Sequence, residues 1–261
     1  MKTKITIVLL MFFFPSMIGS CKKDSVSNPP PLNEIVFNPD LTYETMTDTY
    51  GNEYKTITIG TQTWMAENLR STKYNDGTAI PLITKDIDWG NLTTPGYCWY
   101  DNDSATYKTK YGALYNSYTI NTGKLCPLGW HVPNNDEWTT LITYVGGDSI
   151  AGDKLREKDT FHWSIGIIIA VGTQHPSNSI GTNESGFTAL PCGRRNFNGF
   201  FGFTSIITYW WSSTVLSASN DFNWLVGNNW YWYIENDYSG IGSNFDFENK
   251  TGFSVRCLKN N

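Results

Sequence analysis

The sequence predicts an α+β fold, on three observations. An alternating hairpin pattern opens the ordered region, capped helices occupy its middle, and short strands rich in Gly, Asn and aromatic residues close it. Strands and helices segregated along a chain, rather than alternating, mark the α+β class. No solenoid period and no helical repeat is present.

The elements follow in order. Tyr54 to Ile59 alternates, with Ile57 and Ile59 on one face. Gly60-Thr61 makes a two-residue turn with Gly first, and Gln62 to Met65 returns as the paired strand. Asn75-Asp76-Gly77 is a second turn signal. Tyr111 to Asn121 is ambiguous between strand and helix, and the shared face of Leu114 and Tyr118 favours helix. Asn134 with Glu137 three residues on forms a capping arrangement. Trp138, Leu141, Ile142 and Val145 then fall on one helical stripe, and Gly146-Gly147 ends it. A short helix is expected around Ile150 to Glu157, and Ile165 to Val171 reads as a buried strand. In the last strand Phe253, Val255 and Cys257 point one way, Ser254 and Arg256 the other.

The 261 residues suit one large domain or a domain with extensions. Net charge is −5, so there is no basic footprint for nucleic acid. Aromatic residues make up 15%, enough buried ring surface to exclude a disordered chain.

Residues 1–20 read as a targeting segment. Lys2 and Lys4 precede a ten-residue apolar run, Ile5 to Phe14, too short to span a bilayer. Ile18-Gly19-Ser20-Cys21 resembles a bacterial lipobox, in which Cys21 is lipidated and becomes the first mature residue. Several acyl chains on one Cys anchor a protein stably. The expected address is the bacterial envelope, at the outer membrane. Residues 21–42, with Pro29-Pro30-Pro31 and Pro39, read as an extended linker. Its one sticky patch is Ile35-Val36-Phe37, which would allow docking. The domain is expected over 43–261.

Three stretches carry a family likeness: residues 56–81 (TITIGTQTWMAENLRSTKYNDGTAIP), 111–141 (YGALYNSYTINTGKLCPLGWHVPNNDEWTTL), and 184–196 with 252–258. They resemble the Fibrobacter succinogenes major paralogous domain of bacterial envelope lipoproteins. A more distant likeness is to the sulfatase-modifying-factor fold, carried by Val132-Pro133 before the acidic start of the Trp138 helix and by the closing Gly252-Phe253-Ser254-Val255-Arg256. The resemblance implies a C-type lectin-like domain with two or three helices and many short antiparallel strands, its first and last strands close together. Tyr115-Asn116-Ser117-Tyr118 carries Ser117 where the family has Trp, and Cys192 replaces the common Gly. No catalytic residue transfers from the family.

An exported chain permits disulfides. The lectin-like layout brings the last strand near the chain before the second helix, so the resemblance implies Cys126–Cys257, with Cys257 on the apolar strand face. Cys98–Cys192 is the remaining pair, unless both are buried free thiols. A thiol-metal enzyme, or a nucleophile pair of Cys192 with His131 or His162, has no support from spacing. Asp101-Asn102-Asp103 supplies oxygen ligands but lacks the Gly and closing Glu of a calcium loop, so a solvated turn is expected and no metal or cofactor.

Aromatic residues concentrate from Tyr209 to Phe247, interleaved with Asn. Rings against sugar faces, with amides on the hydroxyls, make saccharide sites. The expected contacts are Trp224, Trp230 and Trp232 with Asn223 and Asn229. The function this points to is non-catalytic binding of a polysaccharide or a protein partner, by a protein held at the membrane through its lipid. A structural or adhesive role is the alternative, and an enzyme related to the sulfatase modifiers a remoter one.

Overall fold

A computed structural model describes residues 34–158, 162–164, 180–217, 227–246 and 248–261. The elements are β1 (Glu44–Thr47), β2 (Glu53–Ile59), β3 (Gln62–Met65), α1 (Asp86–Gly90), β4 (Tyr97–Cys98), α2 (Ser104–Tyr111), β5 (Leu114–Tyr115), α3 (Ser117–Ile120), β6 (Trp130–His131), α4 (Asn135–Tyr144) and α5 (Asp148–Leu155). Then come β7 (Cys192–Arg195), β8 (Phe201–Thr204), β9 (Ile207–Val215), β10 (Asn229–Glu235), β11 (Gly242–Phe245) and β12 (Leu258–Lys259). Few helices and many short strands make this α+β.

Two five-stranded sheets organise most of the strands, and β4 pairs with β5 in a small third. One runs β1-β2-β3-β12-β6, so the opening hairpin and the last strand are neighbours. The other runs β11-β10-β9-β7-β8, antiparallel except between β7 and β9. The hairpin has the expected register, with Ile57 opposite Trp64 and Ile59 opposite Gln62. Gly60 takes φ 62° at the turn, a conformation that costs glycine little.

Two large hydrophobic clusters, beside two smaller ones, fill much of the described chain, and strand alternation sorts side chains between the large ones. Tyr54, Met65, Tyr209, Trp211, Phe253, Val255 and Cys257 enter the first. Ile57, Ile59, Trp64, Trp210, Trp232 and Leu258 enter the second, with Trp138, Leu141, Ile142 and Val145 of the α4 stripe. The capping box forms as the sequence implies: Glu137 N–H donates to Asn134 Oδ1 at 3.0 Å, and Asn134 N–H to Glu137 Oε2 at 2.9 Å.

Several expectations need correction. The expected last strand over Phe253 to Cys257 is not a regular strand, since 252–254 makes isolated bridges and β12 begins at Leu258, and both of its faces are buried, Ser254 and Arg256 as much as Phe253. It lies between the two sheets: Leu69 N–H donates to Val255 O on one side, and Trp211 N–H to Ser254 O on the other. Tyr111 to Asn121 is not one helix. Gly112, at φ 73°, stops α2 where a Cβ would lie 2.7 Å from Leu69 O. Leu114 and Tyr115 then pair with β4, and Asn116 caps the single turn of α3. The ordered domain also begins before Tyr43. Phe37 and Leu41 pack on the second cluster, and Asn38 Nδ2 donates to Asn183 O at 2.9 Å. Ile165 to Val171 lies outside the described residues, as do Cys21 and the rest of 1–33. Among the described residues no helix is long and apolar enough to cross a membrane.

Candidate functional site

The second sheet brings the aromatic third of the chain together and gives its faces different roles. On β9 and β10, Trp210 and Trp232 are cross-strand partners facing α4, while Tyr209 and Tyr233 are partners facing the other way. Trp232 is fully packed: its ring stacks on Trp138 at 6.1 Å, and its Nε1–H donates to Asn135 Oδ1. Asn229 is buried, donating to Ser212 O at 3.2 Å and accepting from Asn121 Nδ2 at 2.9 Å. The expectation that Trp232 and Asn229 contact ligand is therefore corrected; both hold the sheet together. Trp230 is half-buried, edge-on to Phe245 at 5.7 Å. Trp224 and Asn223 lie outside the described residues.

The tyrosine side of the sheet is half-open. Phe203, Tyr231 and Tyr233 are each partly exposed around the buried Tyr209, whose ring centroid lies 6.5, 5.9 and 6.1 Å from theirs. Phe253 of the closing segment backs them, stacked on Tyr209 at 5.0 Å and 4.8 Å from Tyr231. Tyr233 lies across Gly242 of β11, where a Cβ would come 2.4 Å from its Cζ, so only glycine leaves room for the ring. Burial raises all three phenols, Tyr231 to about 12, so they remain hydroxyl donors at neutral pH.

Two ionisable groups border these rings. Arg194 of β7 sets its guanidinium over Phe203 at 4.8 Å and Tyr209 at 5.2 Å. Asp246 follows β11 and is largely enclosed, with Oδ1 accepting from Thr251 Oγ1 at 3.1 Å. Burial pushes its carboxyl up to about 7; the Thr251 hydrogen bond and the Arg194 charge oppose that without cancelling it. Sequence reasoning included Tyr231 and Tyr233 in the aromatic segment without choosing them as contacts, and passed over Arg194 and Phe203. The alternation of Trp230 to Tyr233 held the signal for the two tyrosines, since one pair of rings had to oppose the other.

The cysteines divide. Cys126 and Cys257 form a disulfide with Cα atoms 6.0 Å apart. Cys98 and Cys192 are not paired, which corrects that expectation: both are free thiols, buried in separate clusters. Cys98 lies among Trp89, Tyr100 and Leu114. Cys192 donates to Leu190 O and accepts from Asn68 Nδ2, each at 3.1 Å. Burial raises the thiols to about 12 and about 11, so neither is a thiolate at neutral pH. The Asp101–Asp103 turn serves α2, with Asp103 Oδ1 accepting from the Ala105 and Thr106 amides. No metal-holding cluster of His, Cys, Asp and Glu occurs among the described residues.

These features define an α+β domain built on two five-stranded, mostly antiparallel sheets, closed by one long-range disulfide, with a half-open aromatic face. The chain belongs to the Fibrobacter succinogenes major domain family, whose model matches residues 57–259. That span begins within β2 and takes in the disulfide and the whole tyrosine face. No curated protein and no solved structure shows significant similarity to the chain.

Proposed function

We propose that the chain is a lipid-anchored bacterial envelope protein whose domain binds a saccharide, without catalysis, on the tyrosine side of its second sheet. The observation that carries this reading is the half-open group of Phe203, Tyr231 and Tyr233 around Tyr209. Flat rings with hydroxyl edges offer stacking surface and hydrogen bonds together. The meeting of first and last strands in one sheet accords with a C-type lectin-like architecture. Cys21 supplies the anchor in this reading, and the outer membrane the location. The non-catalytic reading draws support from Cys98 and Cys192, protonated and enclosed in separate clusters, where a thiol-metal enzyme needs two thiolates in one cleft.

A glycan array tests the reading. A ligand found there should lose affinity by about 1–3 kcal/mol in Tyr233→Ala, by analogy with bases stacked on aromatic side chains. A folded Tyr233→Ala, Phe203→Ala double variant that binds as tightly as wild type removes the site. Membrane fractionation of Cys21→Ala tests the anchor: the variant should appear in the soluble fraction, and continued sedimentation with palmitate uptake refutes it.

A structural or adhesive role is the second reading, favoured by one observation. Ile87, Phe197 and Phe200 are 70%, 48% and 62% exposed. They lie on α1 and on the β7–β8 turn that packs against it, where Gly199 meets Asp86. Apolar side chains grouped at a surface suit contact with another protein. Loss of self-association or surface adhesion in Ile87→Ser, Phe200→Ser, with glycan binding absent throughout, would favour it.

A further inference from the structure

The chain has five arginines, and four are occupied. Arg70 pairs with Glu67 at 2.9 Å. Arg156 pairs with Asp153 and donates to the carbonyls of Glu235 and Asn236. Arg195 donates to Gly199 O, Ile83 O and Thr84 O and pairs with Asp86. Arg256 donates to Asn68 Oδ1 and to the carbonyls of Phe187 and Thr188. Arg194 differs. Its guanidinium has no hydrogen-bond or ion-pair partner among the described residues, and its Nε is enclosed without an acceptor. Among the described residues, the rings of Phe203 and Tyr209 hold it.

A guanidinium laid on two rings is already ordered, so a planar oxyanion gains its paired hydrogen bonds at little further entropic cost. We propose that Arg194 receives the carboxylate of an acidic saccharide, a uronate, whose ring rests on Tyr231 and Tyr233. The inference rests on the saccharide reading above and adds the charge of the ligand. Three features select a carboxylate over a phosphate ester. Among the described residues the face offers one cation without a hydrogen-bond or ion-pair partner, Arg194. Glu235 and Glu248 border it, and Asp246 lies within reach of the Arg194 charge. The chain as a whole carries −5, so a dianion would meet repulsion that one guanidinium does not offset.

Asp246 gives the site a dependence on pH. The groups acting on its carboxyl are Arg194 from β7, Tyr231 from β10, and Thr251 and Glu248 from the following turn. Below about pH 7 the carboxyl is neutral and leaves Arg194 to the ligand. Above it the carboxylate competes for Arg194 and repels the uronate. Affinity should fall as pH rises through 7, opposite to the trend if the ligand simply needed to ionise.

Isothermal titration of the full chain in detergent tests this, using hexamers of galacturonate and mannuronate beside their neutral counterparts, hexamers of galactose and mannose. A uronate hexamer should bind at pH 6 about ten-fold or more tightly than its neutral counterpart, the scale of a charged hydrogen bond. Arg194→Gln should remove that difference, Arg194→Lys should restore part of it, and Asp246→Asn should flatten the fall between pH 6 and 8. Near-UV circular dichroism confirms that each variant is folded. If a neutral hexamer binds equally well and Tyr233→Ala weakens it, the saccharide reading stands and the uronate inference is overturned. An Arg194→Gln variant within two-fold of wild type on the uronate also overturns it. Binding of no hexamer, acidic or neutral, overturns both.

Discussion

Asp246 acts on folding as well as on the proposed ligand. Its folded pKa of about 7 lies above the ordinary 3.8, because burial disfavours the carboxylate. Between those values the folded chain holds a proton that the unfolded chain has released. Stability therefore falls as pH rises from about 4 to about 7 and then levels off. The loss is on the order of 4 kcal/mol at most, from roughly 1.4 kcal/mol per pKa unit. Urea unfolding of wild type and Asp246→Asn at pH 5 and pH 8 should show this component in wild type and lose it in the variant; equal slopes in both would locate the pH dependence elsewhere. Trp232 belongs to a different class of residue, although sequence placed it among ligand contacts. Its ring lies on Trp138 and its indole N–H is bonded to Asn135. Trp232→Ala should cost about 3–5 kcal/mol of stability, typical of a core indole. Chemical denaturation checks it, and a loss below 1 kcal/mol would return Trp232 to the surface.

At the scale of elements, α4 shows what sequence makes legible. Its cap and its stripe are both local: Asn134 and Glu137 bond each other's backbone, and the i, i+3, i+4, i+7 positions share one buried face. Asn134→Ala should destabilise by roughly 1 kcal/mol, the usual worth of an N-cap. An unchanged denaturation midpoint would mean that packing of Trp138 alone holds the helix. The β2–β3 hairpin was legible for the same reason, since alternation and a Gly-first turn are short-range signals. The stretch 111–121 was not, because Gly112 stops α2 through contact with the distant Asn68–Leu69 backbone. The burial of the closing segment's polar face was not legible for a similar reason. Alternation places Ser254 and Arg256 opposite Phe253, but the burial of their face depends on β9 lying beside it, and Arg256 is enclosed with Phe187 4.1 Å from its guanidinium carbon. The aromatic site was legible as a segment but not as a face. Pairing between β9 and β10 decides which rings meet α4, and that register is set by residues far apart in sequence.

The whole molecule depends on its last few residues. The closing segment 252–258 joins Arg195, Tyr115, Tyr209, Leu69 and Met65 through backbone hydrogen bonds, and then enters the first sheet beside β3. Its one covalent tie is Cys126–Cys257, which spans 131 residues. Closing a loop of that length lowers the entropy of the unfolded chain by an amount worth about 5 kcal/mol in the chain-entropy model. Cys126→Ala, Cys257→Ala should therefore lower unfolding stability by several kcal/mol while leaving the native near-UV spectrum intact, because the segment is still held on both sides by hydrogen bonds. The two remaining thiols supply an internal readout. Cys98 and Cys192 have no exposed surface, so alkylation by iodoacetamide should be negligible in native wild type and should rise in the double variant in step with the unfolded population. An unchanged denaturation midpoint would show that the disulfide adds nothing beyond the backbone contacts. Rapid alkylation of Cys98 or Cys192 in native wild type would show that the clusters enclosing them open without global unfolding.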